Sequence, residues 1–412
     1  MLALLLLGNG PADLDRILST PKLDGAIVSA IVTDIDGRVI YEHNSATHVV
    51  PASNQKLLSN SFALWELGPD YRPKTSFWKF PSRIIIDSPG DPLMTYEQLR
   101  KARKELGTSQ DLPVYVHEEY APQIPDGWEF DDLPNKFAAP VCAFTFDRGS
   151  FTAWSRHGKT VLLPEPFGVR TIYVAGNGKP EVRYDPFARK VTISGALPAE
   201  DTELDTLALP RPDEAAASLI GSGFESTTTL PQTQPDLVIT GSSTIDIVRA
   251  CLPPSDNNLA ENLLMMGARK EGELGLNPYP LACRRMKSFL LNVVGINPTD
   301  IHAYDGSGLS RHDYVTTRAI AKLLRWSLTQ PTGPAWRSAL AHGGSGTLAN
   351  RLKGINFDGK TGSLDMVSSL SGYLTTKSGK QLVVSIILNE YACTASDAHN
   401  IQDQLISALA AG

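Results

Sequence analysis

Ser53 and Lys56 stand three residues apart in the stretch Pro51-Ala52-Ser53-Asn54-Gln55-Lys56-Leu57-Leu58. A serine hydroxyl is a weak nucleophile until a base within hydrogen-bond reach takes its proton, and a lysine kept neutral can be that base. On a helix, residues three apart share a face, so this spacing brings the Ser53 hydroxyl to the Lys56 amine. Taken alone the pair says little, because about one or two S-x-x-K matches arise by chance in a chain of this length. Ser19-Thr20-Pro21-Lys22 is such a match, and its internal proline argues against a regular helix interior. Partners for Ser53 must therefore come from elsewhere. Two clusters qualify: Ser255-Asp256-Asn257, and Lys360-Thr361-Gly362-Ser363. Each has an ordinary explanation of its own, a helix cap for the first and a turn for the second.

The elements that must position these residues follow from pattern. Leu57, Leu58, Phe62, Leu64, Trp65 and Leu67 recur at roughly helical spacing, and Gly68-Pro69 supplies the stop. This predicts a helix from Ser53 to Leu67, with its positive dipole end and free N–H groups at the serine. A short helix at Asp13–Leu18, a strand at Ala26–Thr33, an Asp36-Gly37 turn and a returning strand at Arg38–Glu42 precede it. From about Tyr71 prolines become frequent and helical periodicity scarce. Strand-like runs lie at 82–87, 113–117, 170–174, 181–184 and 190–194, with helices at 95–106, where Thr95 and Gln98 form a capping pattern, and 213–220. Helices return at 243–251, 257–271, 280–294 and 316–328. Two strands, 369–376 and 381–388, and a helix at 396–410 close the chain. The expected organisation is a domain formed by 1–71 and 241–412, with 72–240 as a β-rich insertion. That insertion is expected to be nested, with an outer part of about 72–90 and 165–240 around an inner 91–164. A structureless loop of such length inside a domain would be rare.

With 412 residues the chain exceeds one ordinary core. The net charge of −6 gives no electrostatic reason to expect a nucleic-acid partner. No run is long enough for a membrane-spanning helix. Met1–Leu7 is a short apolar start without a basic n-region, readable as the remnant of an export signal or as a packed terminus. Cys142, Cys251, Cys283 and Cys393 lie far apart, and the eight histidines show no ligand spacing, so neither a metal nor another cofactor is expected. The Met265-Met266 pair reads as core filler.

Taken together, the motifs S-x-x-K, S-x-N and K-T-G, in that order, resemble the set that marks the penicillin-binding proteins and serine β-lactamases. The long separation of Ser53 from Ser255 by a β-rich insertion narrows the resemblance to the class C low-molecular-mass penicillin-binding proteins, the D-alanyl-D-alanine carboxypeptidase/endopeptidase family. Further stretches carry it. They are Leu67-Gly68-Pro69-Asp70-Tyr71-Arg72, Pro89-Gly90-Asp91-Pro92 (with Ser88 where the family has glycine), Asp305-Gly306-Ser307-Gly308-Leu309-Ser310-Arg311, Gly346-Thr347-Leu348 to Arg351, and Leu370-Ser371-Gly372-Tyr373. The resemblance implies an α/β (α+β) transpeptidase-like domain, an antiparallel sheet with helices on both sides, plus inserted β-rich domains. It implies acyl transfer. Ser53 attacks a carbonyl, Lys56 takes the proton, Ser255 relays it to the leaving amine, and Asn257 holds Lys56 and the substrate amide. Lys360 would add positive charge that favours a neutral Lys56 and attracts a substrate carboxylate. Thr361 and Ser363 would bind that carboxylate across Gly362, and the Ser53 and Ser363 amides would form the oxyanion hole.

The same resemblance implies work on peptidoglycan stem peptides in the periplasm or cell envelope and covalent capture by β-lactams. The segment Trp128 to Pro140 is similar to the family's segment bordering the substrate's third-position side chain, which makes Asp132 and Phe137 candidates together with Arg311. Two other readings stand beside this one: an S-x-x-K esterase or β-lactamase of similar fold, and a non-catalytic envelope-binding module. Glu261-Asn262-Leu263-Leu264 does not fit the E-x-x-L-N of a deacylating glutamate, which counts against a dedicated lactamase. None of the three motifs is broken, which counts against a binding module.

Overall fold

The computed structural model describes residues 11–108, 111–165 and 168–412. The apolar Met1–Leu7 segment lies outside the described residues. Two compact units are present. One comprises the chain through Pro69 with Thr244–Ala268 and Tyr279–Gly412; the other comprises Asp70–Ser243 with Arg269–Pro278.

The first unit is built on a six-stranded sheet in the order Ala341–His342, Phe357–Leu364, Val367–Thr375, Gln381–Asn389, Ile27–Asp34, Val39–His43. Every neighbouring pair is antiparallel. The central strands are buried along almost their whole length, which requires cover on both faces. Alternation sorts the side chains. Val28, Ala30, Val32, Leu382, Val384, Ile386, Leu388, Leu370 and Leu374 pack with Leu14 and Leu18 of helix Pro11–Leu18 and Leu405, Ile406 and Leu409 of helix Ala395–Ala411. On the opposite face lies helix Thr317–Thr329, where the Tyr373 hydroxyl donates to the Leu324 carbonyl (2.8 Å) and the Ser29 and Thr317 hydroxyls meet (2.9 Å). The helices on both sides of an antiparallel sheet match the expectation from sequence.

Helix Gln55–Leu67 is buried along its first ten residues. Its start differs from the expected one. Ser53 belongs to a 3₁₀ turn, Ala52–Asn54, that precedes the α-helix. Ala52 has φ +47°, a left-handed conformation that costs a non-glycine residue roughly 1–2 kcal/mol. The surroundings enforce it, since Ala52 is completely buried and its carbonyl faces Gly308, where any Cβ would overlap that oxygen.

Among the described residues the second unit holds three sheets. A five-stranded sheet runs Ser222–Ser226, Pro113–Glu118, Arg83–Ser88, Lys74–Phe80, Leu237–Thr240. Its parallel pair 83–88/113–118 is joined by helix Tyr96–Leu106, with the expected Thr95–Gln98 capping box at its head and Gly107 in the left-handed region at its end. Two three-stranded sheets follow: Thr202–Ala208, Ser150–Arg156, Lys159–Leu163; and Arg170–Ala175, Lys190–Gly195, Glu181–Asp185. Strand pairing crosses the expected nested boundaries. Pro113–Glu118 belongs to the sheet of 74–88, and Ser150–Arg156 pairs with Thr202–Ala208. Apolar positions from all three sheets, among them Ile84, Val116, Phe151, Val191 and Ile193, share one core, and this unites strands that composition alone divides differently.

Candidate active site

The Lys56 ammonium nitrogen lies 2.8 Å from the Ser53 hydroxyl, 2.6 Å from Asn257 Oδ1 and 2.8 Å from the Ser307 carbonyl. Two of those partners, a carboxamide oxygen and a carbonyl, can only accept. A neutral Lys56 amine donates to both and is left with its lone pair directed at Ser53, which then donates its proton. That is the arrangement a general base requires. Lys56 is fully buried, and desolvation pulls its pKa below the ordinary lysine value against the opposing pull of Cys251, Asp305, Glu261 and Asp256.

Asn257 opens helix Asn257–Arg269, which Asp256 caps by accepting from the Leu259 amide (3.0 Å). The S-D-N stretch is therefore a cap and a site element at once. Ser255, at φ +65°, turns its hydroxyl to Lys360 Nζ, 2.7 Å away. Lys360 also donates to the Thr361 carbonyl (2.7 Å). Lys360 is fully buried too, and desolvation together with Lys56 drives its pKa well below normal. This modifies the expectation of Lys360 as a standing positive charge: the buried pair resists holding two protons.

Lys360, Thr361, Gly362 and Ser363 lie on strand Phe357–Leu364, with Lys360 opposite Ser371 and Gly362 opposite Ser369. Gly362 is there by necessity: a Cβ would sit 2.6 Å from the Ser53 amide nitrogen and against Ser369 Oγ. Ser363 is exposed, and the Thr361 hydroxyl donates to that of Thr347 (2.7 Å). Asn54 ties the turn to the sheet, donating from Nδ2 to the Lys360 carbonyl (3.3 Å) and to Ser369 Oγ, which itself donates to the Pro51 carbonyl (2.7 Å).

Sequence reasoning missed the support behind Lys56. In the loop 304–310, amide groups turn to buried carboxylates: Tyr304 to Asp313, Gly306 and Ser307 to Glu261, Gly308 and Ser310 to Asp305. The successive carbonyls of Asp305, Gly306 and Ser307 are then presented to Gln55, Ser59 and Lys56 of the nucleophile helix. Glu261 is detectable in retrospect, since it falls four residues after Asn257 and so shares its helical face. Thr347 and Asn54 carry no such signal.

Of the three remaining candidates, Arg311 donates from Nη1 to the Asp365 carbonyl (3.2 Å), at the hairpin that follows Ser363. Asp132 and Phe137 lie in the second unit, where Asp132 Oδ2 accepts from the Glu129 amide (3.3 Å) and Phe137 is 42% exposed. The four cysteines are free thiols. Among the described residues no cluster of metal-ligating side chains occurs, and no helix is long and apolar enough to cross a membrane.

A helix-covered antiparallel sheet, a serine–lysine pair at a helix head and a K-T-G strand next to the short edge strand define the serine β-lactamase/transpeptidase fold. The crystal structure of penicillin binding protein 4 (dacB) from Haemophilus influenzae shares it, with a TM-score of 0.82 at 20% identity over 97% of this chain and 99% of that one. The sequence model of the D-Ala-D-Ala carboxypeptidase 3 (S13) family matches residues 11–411, and the chain belongs to that family of serine D-Ala-D-Ala carboxypeptidases. A D-alanyl-D-alanine carboxypeptidase of Actinomadura sp. (strain R39) is 25% identical over 97% of this chain and 84% of its own length. D-alanyl-D-alanine carboxypeptidase DacB of Haemophilus influenzae is 24% identical over 90% and 88% respectively.

Proposed function

We propose that the protein removes the terminal D-alanine from peptidoglycan stem peptides, and cuts D,D-cross-links, through an ester formed on Ser53. The observation that carries this is the Lys56 amine held between two obligate acceptors with Ser53 as its third neighbour. Ser53 Oγ attacks the carbonyl of the penultimate D-alanine while Lys56 takes its proton. The Ser53 and Ser363 amides receive the developing oxyanion, usually the largest single catalytic contribution. Collapse needs a proton on the leaving D-alanine amine, and the route is Ser255, which touches Lys360. Asn257 orients Lys56 and the substrate amide. Thr361, Ser363 and the Gly362 backbone meet the terminal carboxylate, whose charge would draw a proton back onto Lys360. Water then hydrolyses the ester with Lys56 again as base.

Arg311 is a proposed substrate contact from its place beside the Ser363 hairpin, and Asp132 and Phe137 are proposed as contacts from the resemblance of residues 128–140. We also propose the domain plan read from sequence, with 1–71 and 241–412 forming the catalytic domain around the insertion 72–240. The division of the chain into two compact units supports that plan apart from Arg269–Pro278, which belongs to the second unit. Work on stem peptides places the protein in the periplasm or cell envelope. A β-lactam offers a strained amide to the same serine, and the relative from Haemophilus influenzae has been crystallised in complex with one. Intact-protein mass after incubation with benzylpenicillin tests the reading. The wild type should gain the mass of one penicillin and Ser53→Ala none. An equal adduct on both proteins would remove Ser53 from the mechanism, and consumption of penicillin without adduct would favour a lactamase.

A further inference from the structure

Glu261 takes no part in the chemistry above, yet it is fully buried beside it. Its two carboxylate oxygens are each given to one backbone amide: Oε2 accepts from Gly306 (2.9 Å) and Oε1 from Ser307 (2.7 Å). The two peptide groups that Glu261 holds present their carbonyls, those of Asp305 and Gly306, to Gln55 and Ser59, and the next peptide group, whose Gly308 amide goes to Asp305, presents the Ser307 carbonyl to Lys56. The Ser307 carbonyl that receives Lys56 Nζ belongs to the same residue whose amide Glu261 holds. The carboxylate thus fixes the two peptide planes that lead into Ser307, and the plane that follows fixes the amine. Neighbouring bonds hold the same loop against the same helix, Gln55 Nε2 to the Asp305 carbonyl (3.0 Å) and Ser59 Oγ to the Gly306 carbonyl (2.6 Å).

We infer that Glu261 is a positioning residue for the Ser53 acylation step, acting through residues 306–307 of the loop, whose amides it holds, to keep the adjoining Ser307 carbonyl where it aims the Lys56 amine at Ser53. Removing the Ser307 carbonyl from its place would leave Lys56 one acceptor short and free to rotate its lone pair away from the nucleophile. The position is costly to keep. Burial and the nearby Asp305 charge push the Glu261 carboxyl up to about 8, against the opposing pull of the Ser307 side chain, the Gly306 amide and Lys56. Helix Asn257–Arg269 places Asn257 and Glu261 four residues apart on one face, so one element reaches Lys56 twice, directly and through the loop.

This inference rests on the proposed role of Ser53 and Lys56, and the test separates the two. Glu261→Gln keeps the volume but has one acceptor oxygen, so one of the two amides must face an NH2 group. The rate constant of acylation by benzylpenicillin and its preceding non-covalent binding constant are measured separately, with Thr394→Ala, which loses the cap of the 395–411 helix, as a destabilised comparison. E261Q should slow the acylation step by at least about ten-fold, set against the 10²–10⁴ typical of a general base, and leave the binding constant unchanged. In a Lys56→Ala background the same substitution should have no further effect. If E261Q does not fold, Glu261→Asp, which withdraws the carboxylate by one methylene, is read in the same way. Wild-type acylation in E261Q, or an equal additional loss in the Lys56→Ala background, would overturn the inference. A folded wild type that is never acylated would overturn the Ser53 reading and this one with it.

Discussion

At the scale of single residues, Gly362 shows most directly how close packing is converted into chemistry. The K-T-G strand approaches the nucleophile turn so closely that no side chain fits between them: a Cβ at 362 would lie 2.6 Å from the Ser53 amide nitrogen. In the proposed mechanism that closeness would let the Ser53 and Ser363 amides, from different elements, converge on one oxygen atom. Gly362→Ala must therefore push strand and turn apart by a few tenths of an ångström or more, and the developing oxyanion would lose the fit of its donors. Loss of one such donor typically costs 10²–10³ in rate, and the acylation of Gly362→Ala by benzylpenicillin should fall by about that factor. The overlap with the Ser53 backbone also overpacks the strand, so the melting temperature should fall as well, by the equivalent of about 1–3 kcal/mol. A variant acylated at the wild-type rate would mean that the two amides do not act together.

At the scale of elements, the site is a junction of a turn, a helix head and two strands, and Asn54 is the fastener. Its Nδ2 reaches the Lys360 carbonyl on one strand and Ser369 on the next, while Ser369 returns a bond to Pro51. Asn54→Ala leaves a buried carbonyl without its donor, a loss of about 1–3 kcal/mol, and releases the turn from the strand. Both the melting temperature and the acylation rate should drop; thermal unfolding followed alongside penicillin labelling checks this, and a loss in stability alone would deny Asn54 its fastening role. The junction also explains what was legible in sequence. S-x-x-K is local chemistry at fixed spacing, and S-x-N and K-T-G sit at a helix head and on a strand, so motif and element could be read together. Asn54 acts through partners on strands far along the chain, which no local pattern reports, and the spacing that puts Glu261 on the face of Asn257 does not show that its carboxylate meets the Gly306 and Ser307 amides. The same limit applies to strands. Segments 82–87, 113–117, 170–174, 181–184 and 190–194 were legible from their β-branched runs. Lys74–Phe80, Ser150–Arg156, Lys159–Leu163, Thr202–Ala208, Ser222–Ser226 and Leu237–Thr240 were not. Thr202–Ala208, for example, mixes acidic and apolar residues and is a strand because Ser150–Arg156 pairs with it.

At the scale of the whole molecule, each unit carries buried acids, and this makes stability a function of pH. In the second unit burial raises Asp91, Glu118 and Asp147 above ordinary carboxyl values, Asp91 to about 6. Asp91 is buried where its Oδ1 accepts from the Leu93 amide (3.1 Å) and where a Cβ at Gly241 would stand 2.5 Å from its Oδ2. An acid whose folded pKa is raised binds its proton more readily folded than unfolded. Its contribution to stability is therefore fully present below the unfolded value of 3.8 and is lost as pH rises through about 6. For Asp91 the loss amounts to about 3 kcal/mol across that window. Asp91→Asn keeps an acceptor for Leu93 and cannot ionise, so it should match the wild type near pH 4 and exceed it at pH 7. Denaturant unfolding of both proteins at the two pH values measures the difference. The remaining slope of the variant reports the other raised acids, among them Glu118, Asp147, Glu261 and Asp313, and an identical pH dependence in wild type and variant would show that Asp91 is solvated in the folded chain.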